Sequence, residues 1–182
     1  WNPERYLAGL MPDRDSAELA ALTFRSATWR QLDAGRIDRS SVEQTFAAAT
    51  GLSLPEVTRM LDGMPRSLTP VVPLQSYARS LHASGVPVYV LSNMPGYVAQ
   101  WLDEQAALPD IFTGRVFSYT EQTLKPEAGI YRVLLERCQL NPARCIFIDD
   151  SVANLSAAEG LGMRTVHMPD VTEATAQAVI AQ

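Results

Sequence analysis

From about residue 71 onward, short apolar runs alternate with stretches of helical periodicity, and this alternation limits the possible folds more than any other feature of the chain. Leu74, Tyr77 and Leu81 fall on one helical face, which Gly85 ends. Val86 to Leu91 reads as a buried strand and is followed by a helix around Tyr97–Glu104. A short strand over Arg115–Ser118 precedes a helix over Pro126–Cys138, with Ile130, Leu134 and Cys138 on one stripe. Cys145–Ile148, Val152–Leu161, Arg164–Met168 and Val171–Ile180 then read as strand, helix, strand and helix. Short apolar strands separated by helices pair in parallel and are covered on both faces. The expected fold class is therefore α/β with a doubly wound parallel sheet, a type that binds ligands at the carboxyl ends of its strands.

The residues before about 70 carry a different pattern. Asp15-Ser16-Ala17-Glu18, Ser40-Ser41-Val42-Glu43 and Ser53-Leu54-Pro55-Glu56 all read as capping boxes, and Val42 and Phe46 share a helical face. Breaks at Gly35, Gly51 and Gly63 separate the segments, and no strand-like run occurs among them. The division expected is a small all-α unit over residues 4–69 and an α/β core over residues 70–182.

Three polar sites stand at expected strand ends. Ser92-Asn93 follows VYVL, where backbone N–H groups entering a helix favour an anion, although a turn or helix cap accounts for the pair equally simply. Lys125 precedes Pro126, expected in the first turn of a helix that holds Lys125 extended. A cation there opposes the helix dipole unless it faces an anion, and a surface lysine partly offset by Glu127 is the other reading. Asp149-Asp150 follows CIFI, with Asn154 in the next turn. Adjacent carboxylates repel unless a cation is present, and a few oxygen ligands suit Mg²⁺. Capping of the following helix explains one of these polar residues but leaves Asp149 unexplained. Convergence of all three on one sheet favours a phosphate and metal site over three unrelated caps.

A net charge of −5 and the absence of a basic run exclude a nucleic-acid backbone binder as the expected function. No apolar stretch of membrane-spanning length and no secretory signal are visible in these residues. Cys138 and Cys145 lack metal-type spacing and read as reduced core residues of a cytoplasmic protein. His82 and His167 have no sequence partner that points to catalysis.

The motifs LSNM, LKPEAGIYRVLLERC and IFIDDSVANLSAAEGLGM, in that order, resemble the second, third and fourth motifs of the haloacid dehalogenase superfamily. The likeness is to its branch with a small helical cap, and within that to phosphatases of sugar phosphates and related metabolites. It runs from about Trp1 to Met168 and is most specific in the second half. The resemblance implies that Ser92 bonds a phosphoryl oxygen with help from the Asn93 N–H, and that Lys125 neutralises the transferring group. It implies that Asp150 binds Mg²⁺, with Asp149 direct or through water, and that Asn154 steadies the acidic loop. The substrate would be a small phosphorylated metabolite, with no nucleic-acid or membrane partner, and the protein a monomer or homodimer.

The resemblance also implies a first motif, a strand ending in two aspartates one residue apart, the first attacking phosphorus and the second acting as general acid and base. That motif is expected upstream of Trp1, because WNPERYL reads as continuing sequence; residues 1–182 alone are expected to be inactive. Asp13-Arg14-Asp15 has matching spacing, but LAGLMP before it is no buried strand, and Asp15 reads as a helix cap. In this family the first strand lies mid-sheet, between the strands ending at Leu91 and Ile148. Without it, several buried backbone groups at roughly 1–3 kcal/mol each would weigh against a net stability of about 5–15 kcal/mol. Other readings are a metal-free 2-haloacid dehalogenase, disfavoured by the paired Asp149-Asp150, and a signalling receiver domain, disfavoured by the late position of that pair. A binding domain without turnover is the expectation if the chain is complete.

Overall fold

A computed structural model describes residues 1–105 and 110–169; the helix expected over Val171–Ile180 lies outside the described residues. Residues before 70 are helical, as their pattern predicts. Helix α1 (Pro3–Leu10) starts behind Asn2, whose side-chain oxygen accepts from the Arg5 N–H at 3.0 Å. Helix α2 (Ser16–Leu22) is capped by Asp15, which accepts from the Ala17 and Glu18 N–H groups at 2.9 and 3.0 Å. Helix α3 (Ala27–Asp33) follows the Ser26 cap. Helix α4 (Arg39–Thr50) begins earlier than its Ser40 pattern predicts, because the Asp38 carboxylate accepts from the Ser41 N–H at 2.8 Å and takes the cap position. Helix α5 (Leu54–Gly63) opens on the expected Ser53–Glu56 capping box.

These helices bury a common apolar cluster in which Leu7, Val42, Phe46, Val57, Met60 and Leu61 are fully enclosed. The cluster does not stop at residue 69. Val98 and Leu102 belong to it, so the helix after the first strand packs into the helical lobe.

The rest of the chain runs α6 (Val72–Ala83), β1 (Val88–Ser92), α7 (Gly96–Glu104), β2 (Phe112–Phe117), α8 (Ser118–Glu121), α9 (Ala128–Arg137), β3 (Ile146–Asp149), α10 (Val152–Glu159) and β4 (Arg164–His167). Strands β1 and β2 are parallel, with Ser92 opposite Phe117; β3 and β4 are parallel, with Asp149 opposite His167. The alternation thus gives the expected parallel pairing, but as two separate pairs. Among the described residues no strand lies between β1 and β3. A second cluster of Val116, Ile130, Tyr131, Leu134, Ala158 and Met163 brings α9 and α10 together against the strands.

The helix expected from Leu74, Tyr77 and Leu81 forms as α6, with these three residues half-buried, and one local expectation is corrected. Pro126 does not start α9. Residues 124–127 form a turn closed by the Glu127 N–H donating to the Leu124 carbonyl at 2.7 Å, and the helix begins after it, at Ala128. The Lys125–Pro126 peptide is cis.

Candidate functional site

The carboxyl ends of β1 and β3 and the turn before α9 place Ser92, Asn93, Lys125, Asp149, Asp150 and Asn154 in one region. The contacts are direct. The Asn93 carboxamide grips the main chain of Lys125 twice: its Nδ2 donates to the Lys125 carbonyl at 2.9 Å, and its Oδ1 accepts from the Lys125 N–H at 2.8 Å. From that anchored backbone, Lys125 Nζ donates to Asp149 Oδ2 at 2.7 Å. The other oxygen, Asp149 Oδ1, accepts from the Ser151 N–H at 2.9 Å and from Asn154 Nδ2 at 2.8 Å.

Both members of the ion pair are well enclosed, with side-chain exposures of 12% for Lys125 and 6% for Asp149. Burial alone would raise the Asp149 pKa. The Lys125 ammonium, with the Ser151 and Asn154 donors, outweighs it and holds the carboxyl below the ordinary carboxylate range. Asp149 is therefore kept ionised in a site that would otherwise neutralise it.

Asp150 points differently, with an exposed side chain. Its main-chain oxygen lies 3.1 Å from His167 Nε2, a partner for His167 that the linear sequence does not show. Ser151 is the N-cap of α10, accepting from the Asn154 N–H at a long 3.4 Å. Capping and the acidic pair thus coexist, because Ser151 takes the cap. The Ser92 hydroxyl makes only a long 3.4 Å approach to the Asn93 carbonyl. It stands at the end of β1 with capacity for a stronger acceptor.

Two residues outside the sequence-derived set support this arrangement. Tyr131 is fully buried, and its hydroxyl donates to the Asn154 carbonyl at 2.9 Å. Burial, then the nearby Asp149 charge, raises the phenol pKa, so the group remains a donor. In sequence Tyr131 looks like one more apolar position beside Ile130. Ser118, also fully buried, connects the loop after Ser92 to α3. Its only sequence signal was its place at the end of a predicted strand.

Elsewhere, Trp29 on α3 is a packing residue, edge-on to Phe24 with ring centroids 4.8 Å apart. Asp15 is occupied as the α2 cap. A surface groove of about 800 Å³ runs along α4 and α5 between Leu54, Arg59 and Arg66 and contains none of the strand-end residues.

Two carboxylates, Asp149 and Asp150, are the oxygen donors present. Among the described residues no cluster of three His, Cys, Asp or Glu side chains forms. Such a small donor set fits Mg²⁺, which keeps several waters and shares a substrate phosphate, and does not fit a closed zinc site. Among the described residues no helix is long and apolar enough to cross a membrane.

A family model described as haloacid dehalogenase-like hydrolase matches residues 25–162. Sesquiterpene phosphatase astK of Aspergillus oryzae is 28% identical over 170 residues, covering 93% of this chain and 84% of that protein. A HAD family enzyme from Bacteroides thetaiotaomicron, solved with magnesium and inorganic phosphate, superposes with a TM-score of 0.62 at 22% identity, covering 83% of each chain. L-2-haloacid dehalogenase from Xanthobacter autotrophicus, solved with chloropropionic acid covalently bound, gives a TM-score of 0.70 at 16% identity, covering 96% of this chain and 75% of that one. At these identities the two structures share the fold.

Proposed function

Because the chain belongs to the haloacid dehalogenase-like hydrolases, we propose that it is a magnesium-dependent phosphatase acting on a small phosphorylated metabolite. The observation that carries this reading is the Lys125–Asp149 pair, which sets an enclosed cation against a carboxylate at the carboxyl end of β3. Similarity to a phosphatase over 93% of the chain supports it.

In this reading Ser92 Oγ and the Asn93 N–H bind the phosphoryl oxygens, and Lys125 neutralises the transferring group. Asp150 would hold Mg²⁺, with Asp149 direct or through water, and the ion would supply positive charge to the phosphoryl oxygens. Asn154 and Tyr131 keep the acidic loop in place. The reaction would pass through an aspartyl-phosphate whose nucleophile lies on a strand preceding Trp1. Among the described residues β1 and β3 each pair on one side, which leaves edges that such a strand would occupy. The helical lobe over residues 4–69 would exclude water and select the substrate. We further read the protein as cytoplasmic and as a monomer or homodimer.

The test is phosphate release from a panel of phosphorylated metabolites by the intact protein, with Mg²⁺ or with EDTA, alongside chloride release from 2-chloropropionate. The expected result is Mg²⁺-dependent phosphate release that is lost in Asp150→Ala. The same assay on residues 1–182 alone is expected to show no turnover. Metal-independent chloride release would replace the phosphatase reading with a dehalogenase. Phosphate binding without turnover by the intact protein would leave a binding domain.

A further inference from the structure

Ser118 is a polar residue with no exposure, placed between the helical lobe and the loop that carries Ser92 and Asn93. Its Oγ donates to the main-chain carbonyl of Asp33, at the end of α3, at 2.5 Å. The same oxygen accepts from the Met94 N–H at 2.9 Å. One hydroxyl therefore joins segments 85 and 24 residues away from it in sequence.

The surroundings reinforce the joint. Gly35, at φ +64°, sits so close to α8 that an added Cβ would lie 2.3 Å from the Tyr119 carbonyl oxygen. Arg36 donates to the Gln122 carbonyl through Nε at 3.1 Å and through a terminal nitrogen at 2.6 Å. On its other flank the loop is held by the Asn93 carboxamide on Lys125. Asn93 and Met94 are thus both anchored, and Ser92 Oγ keeps its capacity for an anion.

We propose that Ser118 is a positioning residue that holds the Ser92–Asn93 loop in its phosphate-binding shape and makes that shape depend on docking of the helical lobe. The proposal rests on the phosphatase reading above. A serine that merely finished β2 would need one partner close in sequence; this one bridges two distant segments that meet nowhere else through a side-chain hydroxyl among the described residues.

The test compares Ser118→Ala, Ser118→Cys and Gly35→Ala with the wild type, all in the intact protein. Cysteine fills the space but bonds weakly, which guards against a variant that fails to fold. Calorimetry measures inorganic phosphate binding in the presence of Mg²⁺, and Mg²⁺ binding alone. Hydrogen exchange follows segments 33–36 and 92–96. Loss of one buried hydrogen bond corresponds to about a tenfold weaker phosphate affinity. Both Ser118 variants should show it, with Mg²⁺ affinity unchanged and exchange rising in both segments together. Gly35→Ala should weaken phosphate binding although it touches no part of the loop. A folded Ser118 variant with wild-type phosphate affinity and unchanged exchange at 92–96 overturns the proposal. If the wild type binds neither Mg²⁺ nor phosphate, the phosphatase reading fails. The exchange pattern then decides the positioning role by itself: a joint rise keeps it, and a rise confined to 33–36 ends it.

Discussion

Lys125 Nζ donates to Asp149 Oδ2 at 2.7 Å, joining two strand pairs that share no backbone ladder. Replacement of the lysine by methionine strands a buried carboxylate that keeps only its Ser151 and Asn154 donors. The expected cost is about 3 kcal/mol of stability, the range for breaking one half of an enclosed ion pair. Urea unfolding of Lys125→Met and of the Lys125→Met/Asp149→Asn double variant checks this, the second change recovering much of the loss. A loss below about 0.5 kcal/mol would show the pair to be solvated. Turnover should fall roughly 10²–10³-fold in either case, since a preorganised charge is missing.

Gly35 and Gly51 both adopt left-handed backbone, at φ +64° and +70°, but only Gly35 has a neighbour where a Cβ would go. Gly51→Ala should cost about 1 kcal/mol from backbone strain alone. Gly35→Ala adds a collision with the Tyr119 carbonyl and should cost about 3 kcal/mol or more. Denaturation midpoints of the two variants measure the difference. Equal losses would mean that α3 and α8 part easily.

The parallel strand pairs were legible because Val88–Leu91 and Ile146–Ile148 are unbroken apolar runs between helices. Ser92 and Asp149 were legible because polar residues at the ends of such runs stand out, and Lys125 because it stands directly before a proline. The helix starts were less secure: Asp38 displaced Ser40 as a cap, since either side-chain type can accept from an N–H and periodicity does not rank them. The turn at Lys125–Pro126 was misread for a related reason, as proline in a first helical turn and proline before the helix look alike in sequence. Ser118 and Tyr131 were invisible as functional candidates. Their partners, Asp33, Met94 and Asn154, are met only through tertiary contact, and two of these offer main-chain carbonyls that leave no trace in residue identity.

Tyr131→Phe removes one hydroxyl and with it the side-chain donor to the Asn154 carbonyl, while the ring keeps its edge-on packing against Phe147 at 5.5 Å. The expected stability loss is about 1 kcal/mol. Because Asn154 also bonds Asp149, Mg²⁺ affinity should weaken several-fold, read by calorimetry with the metal alone. Wild-type Mg²⁺ affinity in the variant would confine Tyr131 to packing.

Asp33 gives a prediction in pH. Burial pushes its carboxyl up to about 7, and the Arg30 guanidinium opposes this only partly. The unfolded chain releases this proton near the ordinary value of about 3.9. Between about pH 4 and pH 7 the folded state therefore retains a proton that the unfolded state has lost, and stability falls as pH rises across that window. Above about pH 7 the penalty is complete and the contribution levels off. Asparagine carries no charge at any of these values, so Asp33→Asn should match the wild type near pH 4 and be more stable by about 2 kcal/mol near pH 8. Urea unfolding at three pH values across the window reads the divergence, and parallel curves would show that Asp33 ionises freely in the fold. The Ser118 bond is to the Asp33 main-chain carbonyl, not to its carboxyl, so this substitution leaves the lobe-to-loop joint intact. The same variant should therefore keep wild-type phosphate affinity, which separates the buried charge of Asp33 from the positioning role of its backbone.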